Sequence, residues 1–279
     1  MASEPNSIWV DGCPARALPL PDRGLDFGDG LFETLLLLAG KPLYLELHMQ
    51  RLEQGLRALG FPNCLDEIRN QIHSVLNSGD FPGEMAMRVT VTRGGGPRGY
   101  TPPPATVPRV IIVTSVRAGQ SYLELPSPAR LAVAKIRWGC QPMLAGIKHL
   151  NRLEQVLAAR EREAAAVDEV VMLNQAGGVV SVSTGNLFIA DGNELLTPHL
   201  SECGVYGTRR RLVIEQLAPA HGLQVREVEL TVAQVESAGE AFYCNALVGL
   251  RPVGSFGAAR WESHKVCSAL HTLLCEGAQ

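Results

Sequence analysis

Lys148 stands in Ala145-Gly146-Ile147-Lys148-His149-Leu150-Asn151, between a predicted strand and a predicted helix, with apolar and small residues before it. A lysine in a partly desolvated pocket has a lowered pKa and becomes a nucleophile toward carbonyl carbon. By residue type alone an ordinary surface lysine is the commoner outcome. Gly204-Val205-Tyr206-Gly207-Thr208 opens a predicted helix, where backbone N–H groups and the helix dipole suit a phosphate. Arg209, Arg210 and Arg211 crowd that first turn. Cations there oppose the macrodipole unless an anion is present; the alternative is that they are solvated and point away. Asn245-Ala246, directly after a predicted strand, offers a second set of amides for the same anion, a weak signal alone. Arg93-Gly94-Gly95-Gly96-Pro97-Arg98-Gly99-Tyr100 joins two predicted strands and runs into prolines 102–104. A glycine-rich loop with two arginines and a tyrosine reads either as a mobile connector or as a functional loop.

Other constellations are absent. There is no GxSxG, HExxH or Walker A string. His48, His73, His199, His221, His264 and His271 show no ligand spacing and read as helix-surface or core residues; His149 differs only by its neighbour Lys148. The seven cysteines are odd in number and form no CxxC pair or zinc module, so they read as reduced thiols, several in the core, and no metal is expected.

The elements that must position these groups follow from the pattern. Ser7 to Val10 is a short strand closed by the Asp11-Gly12 turn, and Leu31 to Leu38 a buried strand turned back at Ala39 to Pro42. Leu45 to Leu59 is a helix stopped by Gly60, and a second helix starts from Asp66 as N-cap and ends at Gly79. Met85 to Thr92 and Val110 to Val116 pair as strands. Gly119 to Pro128 reads as a linker. Beyond it come a strand, Leu131 to Ile136, and a helix, Asn151 to Ala166. Short strands follow at Glu169 to Leu173, Val179 to Ser183, Leu187 to Ala190 and Leu195-Leu196, punctuated by Gly177-Gly178 and Asp191-Gly192. A helix over Thr208 to Ala220, a strand over Ala241 to Cys244 and a helix over Glu262 to Leu274 close the chain. Without a regular βαβ rhythm or a repeat, the fold class is α+β. The domains expected are a small N-terminal α/β domain (1–118), a linker (119–128) and a larger β-rich C-terminal domain with helices (129–279).

Across 279 residues, 46% hydrophobic and 19% charged, the chain has the balance of a globular protein with one large or two medium cores. A net charge of −3 argues against nucleic acid as a partner. No apolar run approaches the ~20 residues that span a bilayer, so no membrane partner is expected. Met1 to Ser7 has no basic or apolar leader region, so a cytoplasmic protein is expected.

Together these pieces resemble the class IV aminotransferase family, the fold-type IV pyridoxal-5′-phosphate (PLP) enzymes. The strings that carry the resemblance are Asp22-Arg23-Gly24-Leu25-Asp26-Phe27-Gly28-Asp29-Gly30-Leu31-Phe32-Glu33-Thr34, His48-Met49-Gln50-Arg51-Leu52, Lys148-His149-Leu150-Asn151-Arg152-Leu153-Glu154, Gly185-Asn186-Leu187-Phe188 and Gly204-Val205-Tyr206-Gly207. Each is weak alone; five in family order are strong, and the similarity runs from Asp22 to about Val253. The resemblance implies a two-domain fold like that of the D-amino-acid aminotransferases, PLP as cofactor, and a homodimer acting on a small-molecule substrate. It implies that Lys148 holds the cofactor as a Schiff base and then acts as general acid and base, and that Arg51 reaches the phosphate. Amides near Val205 and Tyr206, and near Asn245 and Ala246, complete the phosphate cup, with Asn186 and Ser181 also at the cofactor. Phe27, Thr34, Arg98 and Tyr100 fall near substrate. Arg98 stands where related D-amino-acid aminotransferases place a carboxylate-binding arginine, although their loop ends Arg-Asn-His and this one ends Arg98-Gly99-Tyr100. A planar guanidinium meets a carboxylate with two hydrogen bonds.

The Lys148 to Glu154 string, the Arg93 to Tyr100 loop and Cys244-Asn245-Ala246-Leu247 are most similar to the aminodeoxychorismate lyase branch, which splits 4-amino-4-deoxychorismate into 4-aminobenzoate and pyruvate in folate synthesis. The alternative is a D-amino-acid or branched-chain aminotransferase; a third possibility, a non-catalytic descendant, fits poorly with retained Lys148 and Arg51. One departure matters. The family's Gly-x-Val-x-Glu pattern, whose glutamate faces the cofactor's pyridine nitrogen, reads Gly177-Gly178-Val179-Val180-Ser181 here. A hydroxyl supplies a hydrogen bond but no charge. Full transamination needs the stronger electron sink more than elimination does, which favours the lyase.

Overall fold

The computed structural model describes residues 7–278, and the chain divides into two compact units. One comprises the chain through Gly119 together with Ile147–Asn151; the other comprises Gln120–Gly146 and the chain from Arg152 onward. The leader expectation at Met1 to Ser7 lies, apart from Ser7, outside the described residues.

The first unit is a six-stranded antiparallel sheet covered on one face by two helices. Its elements are β1 (Ser7–Val10), β2 (Cys13–Pro14), α1 (Arg23–Phe27), β3 (Gly30–Leu38), β4 (Lys41–Pro42), α2 (Leu45–Ala58), α3 (Leu65–Ser78), β5 (Glu84–Thr92) and β6 (Arg109–Val116). The strand order is β2-β1-β6-β5-β3-β4. Alternation along β3 sends Leu31, Leu35 and Leu37 into a core with Met49, Leu52 and Leu56 of α2 and Ile68, Ile72 and Val75 of α3. Glu33 shares that parity and is buried with them; Phe32 and Thr34 take the opposite face. Asp66 is not the cap of α3. The helix begins at Leu65 after Cys64, which makes no side-chain cap bond, and Asp66 and Glu67 lie in the first turn, where carboxylates complement the dipole. The short α1 has no apolar period to announce it. It is held by its ends: Asp22 Oδ1 accepts from the Gly24 amide, and Gly28 closes the helix in the left-handed region at φ 65°.

The second unit carries a nine-stranded mixed sheet. Its elements are β7 (Ala129–Arg137), α4 (Leu153–Ala164), β8 (Glu169–Leu173), β9 (Val179–Val182), β10 (Asn186–Asp191), β11 (Glu194–Pro198), α5 (Thr208–Leu212), α6 (Ala218–Ala220), β12 (Gln224–Val228), α7 (Val232–Ser237), β13 (Glu240–Asn245), β14 (Gly249–Phe256), β15 (Ala259–Arg260) and α8 (Lys265–Glu276). The order is β12-β11-β10-β13-β14-β7-β8-β9, with β15 on β14. The hairpins expected at Gly177-Gly178 and Asp191-Gly192 are present as β8–β9 and β10–β11. The helix expected over Thr208 to Ala220 is continuous but passes through a π turn, Val213–Leu217, before Pro219, which supplies no N–H to an α ladder. The stretch from Gln120 belongs to this unit, and Tyr122 in it is fully buried. Among the described residues no helix is long and apolar enough to cross a membrane, and no group of His, Cys, Asp and Glu is placed to hold a metal.

Candidate active site

In the first unit, β3 pairs with β5 along its whole length. Its other edge takes β4 at Leu37 and Leu38, and near Gly30 it takes the chain around Lys148. The Phe32 amide donates to the Lys148 carbonyl at 3.0 Å, and the Leu150 amide donates to the Gly30 carbonyl at 3.0 Å. Lys148 is thus fixed by backbone bonds to a buried strand. Its Nζ lies 4.0 Å from the centroid of the Phe32 ring, half-buried on the face that also presents Thr34. The Arg88 guanidinium lies 3.8 Å from the same centroid, and Arg88 is the β5 partner of Thr34. One phenyl ring therefore carries two cations, an attractive contact for each.

Arg51 is gripped by Glu33. Its Nε donates to Glu33 Oε1 at 2.8 Å and its Nη2 to Oε2 at 2.5 Å, a fork-on-carboxylate pair. His48, one helical turn before Arg51, reaches the same carboxylate through Nδ1 at 2.6 Å. A carboxylate only accepts, so this imidazole carries its hydrogen on Nδ1. Burial alone would push the Glu33 carboxyl up; the Arg51 charge and hydrogen bonds, with His48, hold it down at about 2. His48, read from sequence as a surface or core histidine, is a fully buried member of this triad. The signal for it was a lone glutamate in the apolar run Gly30–Leu38 beside a His-x-x-Arg spacing on the next helix.

The glycine-rich loop is pinned rather than mobile at its start. Arg93 is buried and donates to Asp29 at 2.7 Å and to the carbonyls of Leu59 and Gly60, which close α2. Arg23 donates to Asp29 and to the carbonyls of Gly99 and Tyr100 at 2.9 and 2.7 Å. The two arginines named from the loop therefore differ in kind: Arg93 is structural, whereas Arg98 is exposed and makes no hydrogen bond or ion pair with a described residue. Tyr100 is exposed, with its ring 5.4 Å from that of half-buried Phe27.

In the second unit, Asn186 at the start of β10 donates from Nδ2 to the Val205 carbonyl at 3.0 Å. Gly207 allows that approach: a Cβ there would lie 2.1 Å from Asn186 Oδ1. The Tyr206 amide, expected to face an anion, donates instead to the Gly146 carbonyl at 3.0 Å. The helical ladder begins with the Arg211 amide on the Gly207 carbonyl, so the amides a helix does not satisfy from within are those of Thr208, Arg209 and Arg210. The N-cap, Gly207, offers no side-chain cap to mark the helix start, which falls just after Val205 and Tyr206.

The three arginines after it are neither solvated together nor stacked on one anion. Arg211 pairs with Glu215, and Arg210 is buried against Glu227 at 2.7 Å and the Pro198 carbonyl. Arg209 is wholly buried, donating from Nε to the Tyr122 hydroxyl at 2.9 Å and from Nη2 to the Ala246 carbonyl at 3.4 Å. It joins the helix start to the turn after β13, where Asn245 Oδ1 accepts from the amides of Leu247 and Val248. Val205 is thus bonded to Asn186, and Ala246 to Arg209. Burial pushes the Cys244 thiol up to about 12 and that of Cys203 up to about 11, so neither is a thiolate nucleophile.

Ser181 sits in β9, buried, and its Oγ is 3.1 Å from Trp138 Nε1 at the end of β7. The carboxylate of Glu169 on the neighbouring strand does not replace the missing glutamate, because it accepts from the hydroxyls of Ser183 and Thr184 and from the Val170 amide. The donor set suits PLP. In the first unit an amine is fixed on a strand; in the second, amides and a buried guanidinium meet at a helix start, and a buried hydroxyl makes no further hydrogen bond with a described residue.

Comparison with known proteins agrees with this chemistry. The family model for class IV aminotransferases matches residues 30–256. The chain is 32% identical over 252 residues to an aminodeoxychorismate lyase of Vibrio harveyi, covering 90% of this chain and 92% of that protein. The crystal structure of 4-amino-4-deoxychorismate lyase from Pseudomonas aeruginosa superposes with a TM-score of 0.89 at 37% identity, over 96% of this chain and 98% of that one. An aminotransferase from Brucella abortus bound to PLP shares the fold, with a TM-score of 0.84 at 19% identity over 99% of each chain.

Proposed function

This chain belongs to the class IV aminotransferase family, and from that premise we propose that it is a PLP-dependent lyase converting 4-amino-4-deoxychorismate to 4-aminobenzoate and pyruvate. The observation that carries the proposal is Lys148, a half-buried amine held by backbone bonds to β3 on the face of Phe32 and Thr34. The relatedness to two lyases chooses among the reactions such an amine can serve. Ser181 in place of a carboxylate favours the same choice.

PLP, when bound, supplies an electron sink for breaking bonds at the substrate carbon that carries the amine. Lys148 Nζ would hold PLP covalently and would be a free amine once substrate is bound. The freed amine then takes the proton from C4 of the substrate ring and delivers one to the departing enolpyruvyl group. Loss of that proton and rupture of the C3–O bond leave an aromatic ring. Amides at the start of α5 and in the turn after β13, with Arg51, bind the phosphate. Arg98 binds a substrate carboxylate, and Phe27, Thr34 and Tyr100 border the substrate. The working protein is a homodimer of the cytoplasm, feeding folate synthesis.

Borohydride reduction of the purified protein followed by peptide mapping tests the amine. A label on Lys148, lost in Lys148→Ala, is expected. Pyruvate and 4-aminobenzoate should then form without any amino acceptor. Strict dependence on a 2-oxo acid would instead make the protein an aminotransferase.

A further inference from the structure

We propose that Trp138 orients the Ser181 hydroxyl as an obligatory donor, and that the cofactor's ring nitrogen is therefore held unprotonated in this enzyme. The inference rests on the PLP reading above and concerns a residue, Trp138, with no role in it so far.

The indole N–H of tryptophan donates and never accepts. At 3.1 Å from Trp138 Nε1, Ser181 Oγ is therefore the acceptor of that bond. One lone pair is spent, and the hydroxyl hydrogen remains to be placed. Ser181 is 3% exposed, so bulk water does not take that hydrogen, and no other described residue bonds to the hydroxyl. A buried donor without an acceptor is destabilising, and a ligand atom with a lone pair relieves it.

Trp138 is itself immobilised. Its amide donates to the Leu173 carbonyl at 2.9 Å, and its carbonyl accepts from Gln175 Nε2 at 3.1 Å. Its ring is packed among Ala134, Ala158, Val170, Met172 and Val180. The direction of the bond is thus fixed by the fold, not chosen by the ligand.

Two states of a pyridine nitrogen then differ sharply. An unprotonated nitrogen accepts the Ser181 hydrogen, and every partner is satisfied. A protonated nitrogen must donate to the remaining lone pair of Oγ, which strands the hydroxyl hydrogen in the interior. Among the described residues, the carboxylates on these elements already accept other hydrogen bonds. Glu169 is occupied by Ser183, Thr184 and the Val170 amide, Glu154 accepts from the Gly139 amide, and Glu161 accepts from the amides of Lys135 and Ile136. The Arg152 guanidinium lies 5.8 Å from the Trp138 ring, so these elements carry a cation as well.

The test uses the holoenzyme and three variants, Ser181→Ala, Ser181→Glu and Trp138→Phe. Each is first checked for borohydride labelling at Lys148. Ring-15N-labelled PLP is then followed by NMR. The nitrogen should resonate as neutral pyridine in the wild type, as pyridinium in Ser181→Glu, and shift toward pyridinium in Trp138→Phe. In parallel, the affinities of the apoenzyme for PLP and for its 1-deaza analogue, which has C–H in place of the nitrogen, are compared. The wild type should prefer PLP by about tenfold, the worth of one hydrogen bond, and Ser181→Ala should lose that preference. If Trp138→Phe fails to fold, the wild-type nitrogen signal and the Ser181→Ala ratio together decide the outcome. A labelled Lys148 with a pyridinium signal in the wild type, or a preference unchanged in Ser181→Ala, overturns this inference and leaves the PLP reading standing. No label at Lys148 overturns both.

Discussion

Glu33→Gln removes a charge from a carboxylate 1% exposed while almost preserving its shape. The Arg51 fork and His48, whose side chains are 10% and 0% exposed, then lose their counter-ion. The carboxyl sits at about 2 in place of its ordinary 4.5. At about 1.4 kcal/mol per tenfold change in proton affinity, that difference corresponds to about 3 kcal/mol of stability near neutral pH. The figure agrees with the 3–5 kcal/mol typical of breaking a buried pair from one side. It should appear as a lower denaturant midpoint and a melting point down by roughly ten degrees. The pH dependence is the sharper readout. A depressed carboxyl stabilises fully above its unfolded value and loses that contribution as pH falls through its folded value. The difference between wild type and Glu33→Gln should therefore shrink from about 3 kcal/mol at about pH 7 to about 1.5 kcal/mol at about pH 3. Urea unfolding at a series of pH values measures it. A difference that stays constant across that range would refute the assignment of the stabilisation to the ionised Glu33.

Three further outcomes separate structural from functional residues. Arg93→Ala should cost about 3 kcal/mol in urea unfolding, because Asp29 and the carbonyls that close α2 lose a buried guanidinium. Arg98→Ala should leave the unfolding midpoint within about 0.5 kcal/mol. If it binds a substrate carboxylate, kcat/KM should nonetheless fall by about tenfold to a hundredfold, mostly through KM. Gly207→Ala places a methyl 2.1 Å from Asn186 Oδ1 and should displace Asn186 from Val205; cofactor titration should show PLP held at least about tenfold more weakly, the overpacking cost being about 1–3 kcal/mol.

Much of the architecture was legible because local pattern and final environment coincide. The Gly30–Leu38 run, the stripes of α2 and α3, and the turn glycines between β8 and β9 mean the same thing in the sequence and in the fold. β14 was not legible. Its sequence, GLRPVGSF, opens on glycine and carries Pro252 and Gly254, yet it lies between β13 and β7 with Pro252 opposite Phe242. What makes it a strand is its neighbours, and a register shift between Val253 and Ser255 accommodates the irregularity. α1 and β12 were missed for the same reason: each is too short or too polar to carry a period.

By itself the sequence determined which side chains were available for chemistry, namely an amine at 148, a guanidinium at 51, a hydroxyl at 181 and a polar turn at 245. It also determined the order of the motifs around them. Only the tertiary structure decided what each one is bonded to. Glu33 and His48 became partners of Arg51, Arg93 became a strut, Arg209 became a buried link, and the amide of Tyr206 went to Gly146. The reason is physical. Residue type sets what a group can donate or accept, whereas its partner is set by which buried donors and acceptors the packing leaves within about 3 Å. That distance condition joins residues far apart in the chain, and no local window contains it.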